Sequence, residues 1–311
     1  MSVSEHAERS FIVMPTIGKF LVHVKKYYHA RSGILDYYSV MIGTDPRKAC
    51  VNIRAPYDSD EPLHLSYVTS EVACTLDNIT PMKGLATVQM IQLGITIARE
   101  LAPKSTHLEL EDCSHFPCTS PEGDIRKMPL APFYIAFHGK TWYEDKFGAV
   151  LQNPLQRAEY EVGIRNLDNP ASKPKSFRFM NKDIADLLFE MYEISDTWNE
   201  LFIKIEKRYG NKKCWIVQPW IEEAMSHVFG KPLYEMKKWI IDLRNVPTIS
   251  YYELDDIAPT LGGGWKNPLN EGITYRTSFY PDFQTIPYKK ALRRTRFARR
   301  SRAQTRRRVK H

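Results

Sequence analysis

The sequence predicts an α+β fold, and three observations point to it. Several early segments are rich in β-branched and aromatic residues, a long apolar-faced helix follows them, and a short alternating segment follows the helix. Strands first and helix later give a mixed sheet with a central helix. Behind it the pattern turns helical over 176–245, and then breaks into an extended basic C-terminal arm. The expected division is therefore 1–155 as an α/β domain, 176–245 as a small helical domain, and 246–311 as an aromatic, proline-rich arm with an Arg-rich tail.

Taken in order, Phe11 to Ile17, Phe20 to Tyr28 and Ile34 to Ile42 read as strands, with turns at Gly18 and Ser32-Gly33. Asp45-Pro46 breaks the third. Leu63 to Cys74 reads as a further strand, and Thr80 to Thr87 as a turn. From Leu85 to Leu101, Val88, Ile91, Ile95 and Ala98 recur at helical spacing, with Met90, Leu93, Ile97 and Leu101 widening the face. Pro103 stops this helix, and His107 to Glu111 alternates as a strand does.

Cys113, His115 and Cys118 follow within six residues. Three donors without a fourth do not make a structural zinc site, so these are expected to be loop residues with no metal. Leu130 to Phe137 is expected to be a helix or buried segment, and Trp142-Tyr143 opens another helix. The polar, proline-containing stretches at Asn153-Pro154 and Asn166 to Lys175 read as a boundary. Beyond it, Asn181 to Asp183 can cap a helix over Ile184, Leu187, Leu188 and Met191. Trp198, Leu201, Phe202 and Ile205 share one face of the next helix, which ends at Gly210. Trp215 to Phe229 and Leu233 to Leu243 are expected to complete the helical set. From Asn245 onward prolines interrupt every candidate element while aromatics stay frequent, which suits an arm laid on another surface, in cis or on a neighbour.

Composition narrows the partners. No apolar run approaches the ~18 residues that span a membrane, and MSVSEHAERS lacks a signal-peptide core. Five cysteines, odd and sparse, suggest free thiols and a reducing compartment. The net charge of +8 is unevenly spread: twelve Lys or Arg and no acid lie between Lys289 and Lys310, leaving a body of 32 basic and 36 acidic residues. Arg293, Arg294, Arg296, Arg299, Arg300, Arg302, Arg306, Arg307 and Arg308 can contact phosphates or an acidic protein surface.

The segment KGLATVQMIQLGITIAREL, with the strand after it, resembles the acetyl-CoA-binding motif of the GNAT acetyltransferase superfamily, normally Gln/Arg-x-x-Gly-x-Gly/Ala at the start of the central helix. Gly139 to Ala149, GKTWYEDKFGA, resembles that superfamily's late helix, which ends Tyr-Glu-x-x-Gly-Phe. The chain is also similar to GNAT-like proteins of large nucleocytoplasmic DNA viruses, in which a Leu-Glu-Asp-x-Ser strand end and a Thr-Trp-Tyr-Glu helix recur. The likeness covers about residues 10 to 150.

As an enzyme, this resemblance implies acetyl-CoA held by backbone N–H groups of Lys83, Gly84, Leu85, Ala86 and Thr87. It also implies Glu71 or Glu111 as base and Tyr143 as the acid that protonates the thiolate. Three departures count against the chemistry. Pro81, which has no N–H, replaces the first Gln or Arg; Ala149 replaces the Phe; and Tyr143 lies one residue farther from Gly148 than the family's tyrosine from its glycine. The leading expectation is a non-enzymatic minor capsid protein of a large DNA virus particle, needing no cofactor and clamping other capsid or virion proteins through 246–311. Its place is the virion, or otherwise the host cytoplasm or viral factory. The alternatives are an acetyl-CoA-dependent N-acetyltransferase and a nucleic-acid-binding virion accessory protein.

Overall fold

A computed structural model describes residues 5–14, 18–29, 31–43, 49–68, 74, 85–120, 122–179 and 182–254. It is a mixed α+β fold. Strands β1 (Glu5–Met14), β2 (Gly18–Tyr28), β3 (Leu35–Gly43), β4 (Ala49–Pro56) and β5 (Leu63–Val68) form an antiparallel meander. Helix α1 (Leu85–Leu101) then crosses over to β6 (His107–Glu111), which lies parallel to β5. A separate hairpin follows, β7 (His115–Thr119) with β8 (Ile125–Pro129). Next come α2 (Leu130–His138), α3 (Trp142–Phe147), β9 (Val150–Leu151) and α4 (Pro154–Asn166). Helices α5 (Lys182–Glu193), α6 (Trp198–Tyr209), α7 (Lys213–Val217) and α8 (Ile221–Phe229) lead to β10 (Lys238–Asp242) and β11 (Tyr252–Leu254). The nine-stranded sheet has the order β11-β1-β2-β3-β4-β5-β6-β10-β9.

Strand alternation places Val40, Ile42, Val51, Ile53, Leu63, Leu65, Leu108, Leu110, Trp239 and Ile241 on one face, all nearly or fully buried. Helix α1 lies against β3 and β4 on this face. Gly94 is what lets it come close: a Cβ there would stand 2.9 Å from Ile53 Cδ1 and 3.3 Å from Ile42 Cδ1. Met90, Ile91, Leu93 and Ile95 are fully buried, each worth roughly 1.5–3 kcal/mol of burial. Helix propensity alone could not supply that. The outer side of α1 is held by the segment after β10, where Ile249 N donates to Thr96 Oγ1 at 3.2 Å and Tyr251 Oη donates to Glu100 Oε2 at 3.1 Å.

The later helices close around an aromatic cluster of Phe177, Tyr192, Trp198, Phe202 and Trp220. Both buried indoles are satisfied, Trp198 by Ser172 O and Trp220 by Ile216 O. Caps fix the helix starts. Thr197 accepts from Glu200 N, and Thr141 forms a reciprocal capping box with Glu144.

Several expectations change. A strand that the sequence reading does not include, Ala49–Pro56, stands between β3 and β5, with buried Val51, Ile53 and Ala55 alternating with Asn52 and the exposed Arg54. Cys113 to Cys118 was read as a loop, but His115 begins β7, paired with β8. Asn153-Pro154 is no boundary: Pro154 occupies the first turn of α4, where its missing N–H costs nothing, and Asn153 caps that turn by accepting from Leu155 N. Trp215 to Phe229 is two helices. Leu233 to Leu243 is not a helix: Lys238–Asp242 is a strand paired with β6, and its β-branched Ile240-Ile241 suits that ladder. Most of the thiols are also not free. Cys50 is bridged to Cys74 and Cys118 to Cys214, leaving Cys113 exposed and unbridged. The spans of 24 and 96 residues carry no signal that sequence alone could read.

Candidate functional site at the end of β6

Strand β5 meets β6 only from Leu63 to Leu65, opposite Leu108 to Leu110, while it stays on β4 as far as Val68. Past Leu65 the two parallel strands part. On its other edge β6 remains paired with β10, and the ladder extends one residue beyond the strand, because Asp112 N donates to Lys237 O at 2.7 Å. The carboxyl end of a parallel pair, where the chain connection crosses over, is a favoured position for a ligand.

Asp112 is the first residue past this end. Its Oδ1 accepts from Ser114 N at 3.2 Å, and burial pushes its carboxyl above the usual aspartate range. Ser114 Oγ lies 3.3 Å from Tyr143 Oη on α3. Tyr143 is 5% exposed, and burial, with the Asp112 charge as a second cause, drives its phenol well above the normal value. Below it, Tyr160 Oη on α4 donates to Glu144 Oε2 at 2.6 Å, and the same oxygen accepts from Thr141 N at 3.1 Å. Tyr160 meets Trp239 of β10 edge-on, with ring centroids 5.3 Å apart. These contacts place α3 and α4 on the Leu110–Trp239 face of the sheet.

A cavity of about 370 Å³ opens beside this network. Asp112, Thr141, Tyr160 and Trp239 form its inner end, Pro132, Ile135 and Met225 its apolar walls, and Glu222, Glu223 and Lys237 its more polar border. Among the described residues no cluster of three or more His, Cys, Asp or Glu is arranged to hold a metal, and Cys118 is committed to its bridge.

Glu111 is exposed and points away from this arrangement. It alternates with the buried Leu110, so its Cβ points to the opposite face of the sheet, and its carboxylate reaches Lys237 at the strand edge at 3.2 Å. The structure thus brings Tyr143 together with Ser114 and Asp112, and separates it from Glu111. Of the expected pyrophosphate cradle, Leu85, Ala86 and Thr87 fall in the first turn of α1. Lys83, Gly84, Glu71 and the tail arginines from Arg293 to Arg308 lie outside the described residues.

Asp112 and Trp239 went unrecognised as site residues. Asp112 carried a usable signal, being the next inward position after Leu108 and Leu110. Trp239 did not, because Leu233 to Leu243 also fits a helical period. No protein-family model matches the chain, and no curated protein matches it in sequence. Among the described residues, no helix is long and apolar enough to cross a membrane.

Proposed function

We propose that this protein is a non-enzymatic structural component of a large DNA virus particle, a minor capsid protein built on a GNAT-like fold. The central helix running between two parallel strands that part at their ends supports the GNAT-like reading. One observation carries the non-enzymatic reading: of the two candidate bases, Glu111 alternates onto the face of the sheet opposite Tyr143. Glu111 alternates with the inward-facing Leu110, and Tyr143 is buried beside Ser114 on the Leu110 side. Glu111 so placed is a poor partner for an acid at Tyr143, because one acceptor amine and one leaving thiolate need both groups on one side.

Two further features fit a particle component. The helical half leaves Phe189 66% exposed and Ile203 56% exposed, with Leu187 and Ile194 also exposed, apolar surface that suits burial against a neighbour. The two bridges suit a protein that ends in an oxidising setting such as a virion surface. On this reading the arm assigned to 246–311, whose stretch to Leu254 lies on this chain's own sheet, reaches other virion proteins, and the Arg-rich tail contacts acidic protein or nucleic acid.

Calorimetry of the full chain with acetyl-CoA tests the proposal together with quantification of the protein in purified particles. No binding heat and a fixed copy number per particle are expected. Stoichiometric acetyl-CoA binding at micromolar affinity would overturn it.

A further inference from the structure

Two buried polar atoms on the described chain share one cavity and have no partner: Asp112 Oδ2 and Trp239 Nε1. Their relation follows from the ladder. Lys238 stands opposite Glu111 and Trp239 opposite Leu110, and Asp112 N bonds Lys237 O, so Asp112 and Trp239 are diagonal neighbours on the same face. Such neighbours lie roughly 7–8 Å apart, with their Cβ atoms somewhat closer.

An indole N–H only donates, and the free carboxyl oxygen of Asp112 is an acceptor when the acid is ionised. Leaving either group buried without a partner costs on the order of 1–3 kcal/mol. This fold leaves both atoms buried and unpartnered on two residues that line the same cavity. Elsewhere in the same layer the buried indoles of Trp198 and Trp220 each donate to a backbone carbonyl, so the sequence does satisfy buried tryptophans where no opening exists. The second carboxyl oxygen is also held in place, since Ser114 N fixes Oδ1 and so sets the direction of Oδ2. The walls beside the pair are apolar, from Pro132, Ile135 and Met225, which suits a flat, largely apolar body carrying a small polar edge.

We propose that this cavity binds a small planar ligand presenting an N–H beside a C=O, with Trp239 Nε1 donating to the carbonyl and Asp112 Oδ2 accepting from the N–H. A carboxamide and a pyrimidine-type lactam share this edge. A fully ionic ligand fits less well: a carboxylate would face Asp112, and an ammonium would leave the indole donor unanswered. The site is separate from the assembly role above, and either can fail without the other.

The test is calorimetry of the full-length protein with nicotinamide and with uracil, using N,N-dimethylnicotinamide and 1,3-dimethyluracil as controls that keep the carbonyl and lose the N–H. At least one parent compound is expected to bind and its methylated form to bind at least tenfold more weakly. Asp112→Asn, which turns the accepting atom into a donor, and Trp239→Phe, which keeps the ring against Tyr160, are each expected to weaken binding about tenfold, the equivalent of 1.4 kcal/mol. Binding of uracil alone identifies the lactam source, and of nicotinamide alone the carboxamide source. The proposal is overturned if neither binds at ten millimolar, if the methylated compounds bind equally well, or if both variants bind like the parent protein.

Discussion

Removing the Cys118–Cys214 bridge is expected to cost more stability than removing Cys50–Cys74, and the difference can be worked from chain length. The two bridges span 96 and 24 residues. Loop-closure entropy then gives about 4.7 kcal/mol for the longer and about 3.4 kcal/mol for the shorter. All four sulfurs belong to buried cysteines except that of the partly buried Cys214, and their Cα separations of 5.9 and 5.7 Å are alike. Local packing losses should largely cancel, which leaves a gap of about 1.2 kcal/mol from the fourfold ratio of spans. The assay is urea unfolding of Cys118→Ala/Cys214→Ala and Cys50→Ala/Cys74→Ala, both in a Cys113→Ser background to prevent exchange through the exposed thiol. The first pair should unfold at the lower urea concentration. An unchanged midpoint for that pair, or a reversed order, would refute the reasoning. So would alkylation of more than one cysteine in the native, unreduced protein.

Further outcomes follow from single residues. Gly163→Ala should lower stability even though alanine gains about 1 kcal/mol over glycine inside a helix. Its Cβ would stand 2.1 Å from Phe229 Cδ1 and 2.7 Å from Cγ, so the whole ring must move, at a cost of roughly 1–3 kcal/mol; a double-mutant cycle with Phe229→Ala should recover part of the loss. Asp112→Asn should raise the melting temperature at pH 7. Because burial raises the folded-state pKa of Asp112, its contribution is most favourable below the unfolded value near 3.8 and declines as pH rises through the folded value. The variant should therefore flatten stability across that window, and a parallel pH slope in both proteins would contradict it. Phe189→Ser with Ile203→Ser should leave the thermal midpoint within a degree or two and reduce incorporation into particles, as measured by co-sedimentation.

The readable parts of the fold were those whose period is carried by their own residues. The helix from Leu85 to Leu101 and the strand from His107 to Glu111 emerge with the expected limits, because Pro103 punctuates one and strict alternation marks the other. Strand β4 escaped because its alternation is short, with only Asn52 and Arg54 breaking a run of small and apolar residues, and α4 because a proline that starts a helix looks locally like one that ends it. Strand β10 escaped for a different reason: KWIID becomes a strand through its partner β6, more than a hundred residues earlier. The site inherits this pattern. Glu111 and Tyr143 were named by likeness to a family, whereas the residues that share the cavity are joined by pairing between distant segments. Alternation along β6 reaches Asp112, but only the β6–β10 ladder brings Trp239 to its side.

The insertion of β10 between β6 and β9 also decides when the protein can finish folding. During synthesis the ribosome must release everything through Asp242 before β6 gains its second neighbour. Until then a nascent chain carries a bare strand margin over Leu108 and Leu110, open to mispairing with other copies. An isolated 1–175 fragment would keep that margin for good and should precipitate, and a separately expressed 176–254 piece added during refolding should restore its solubility.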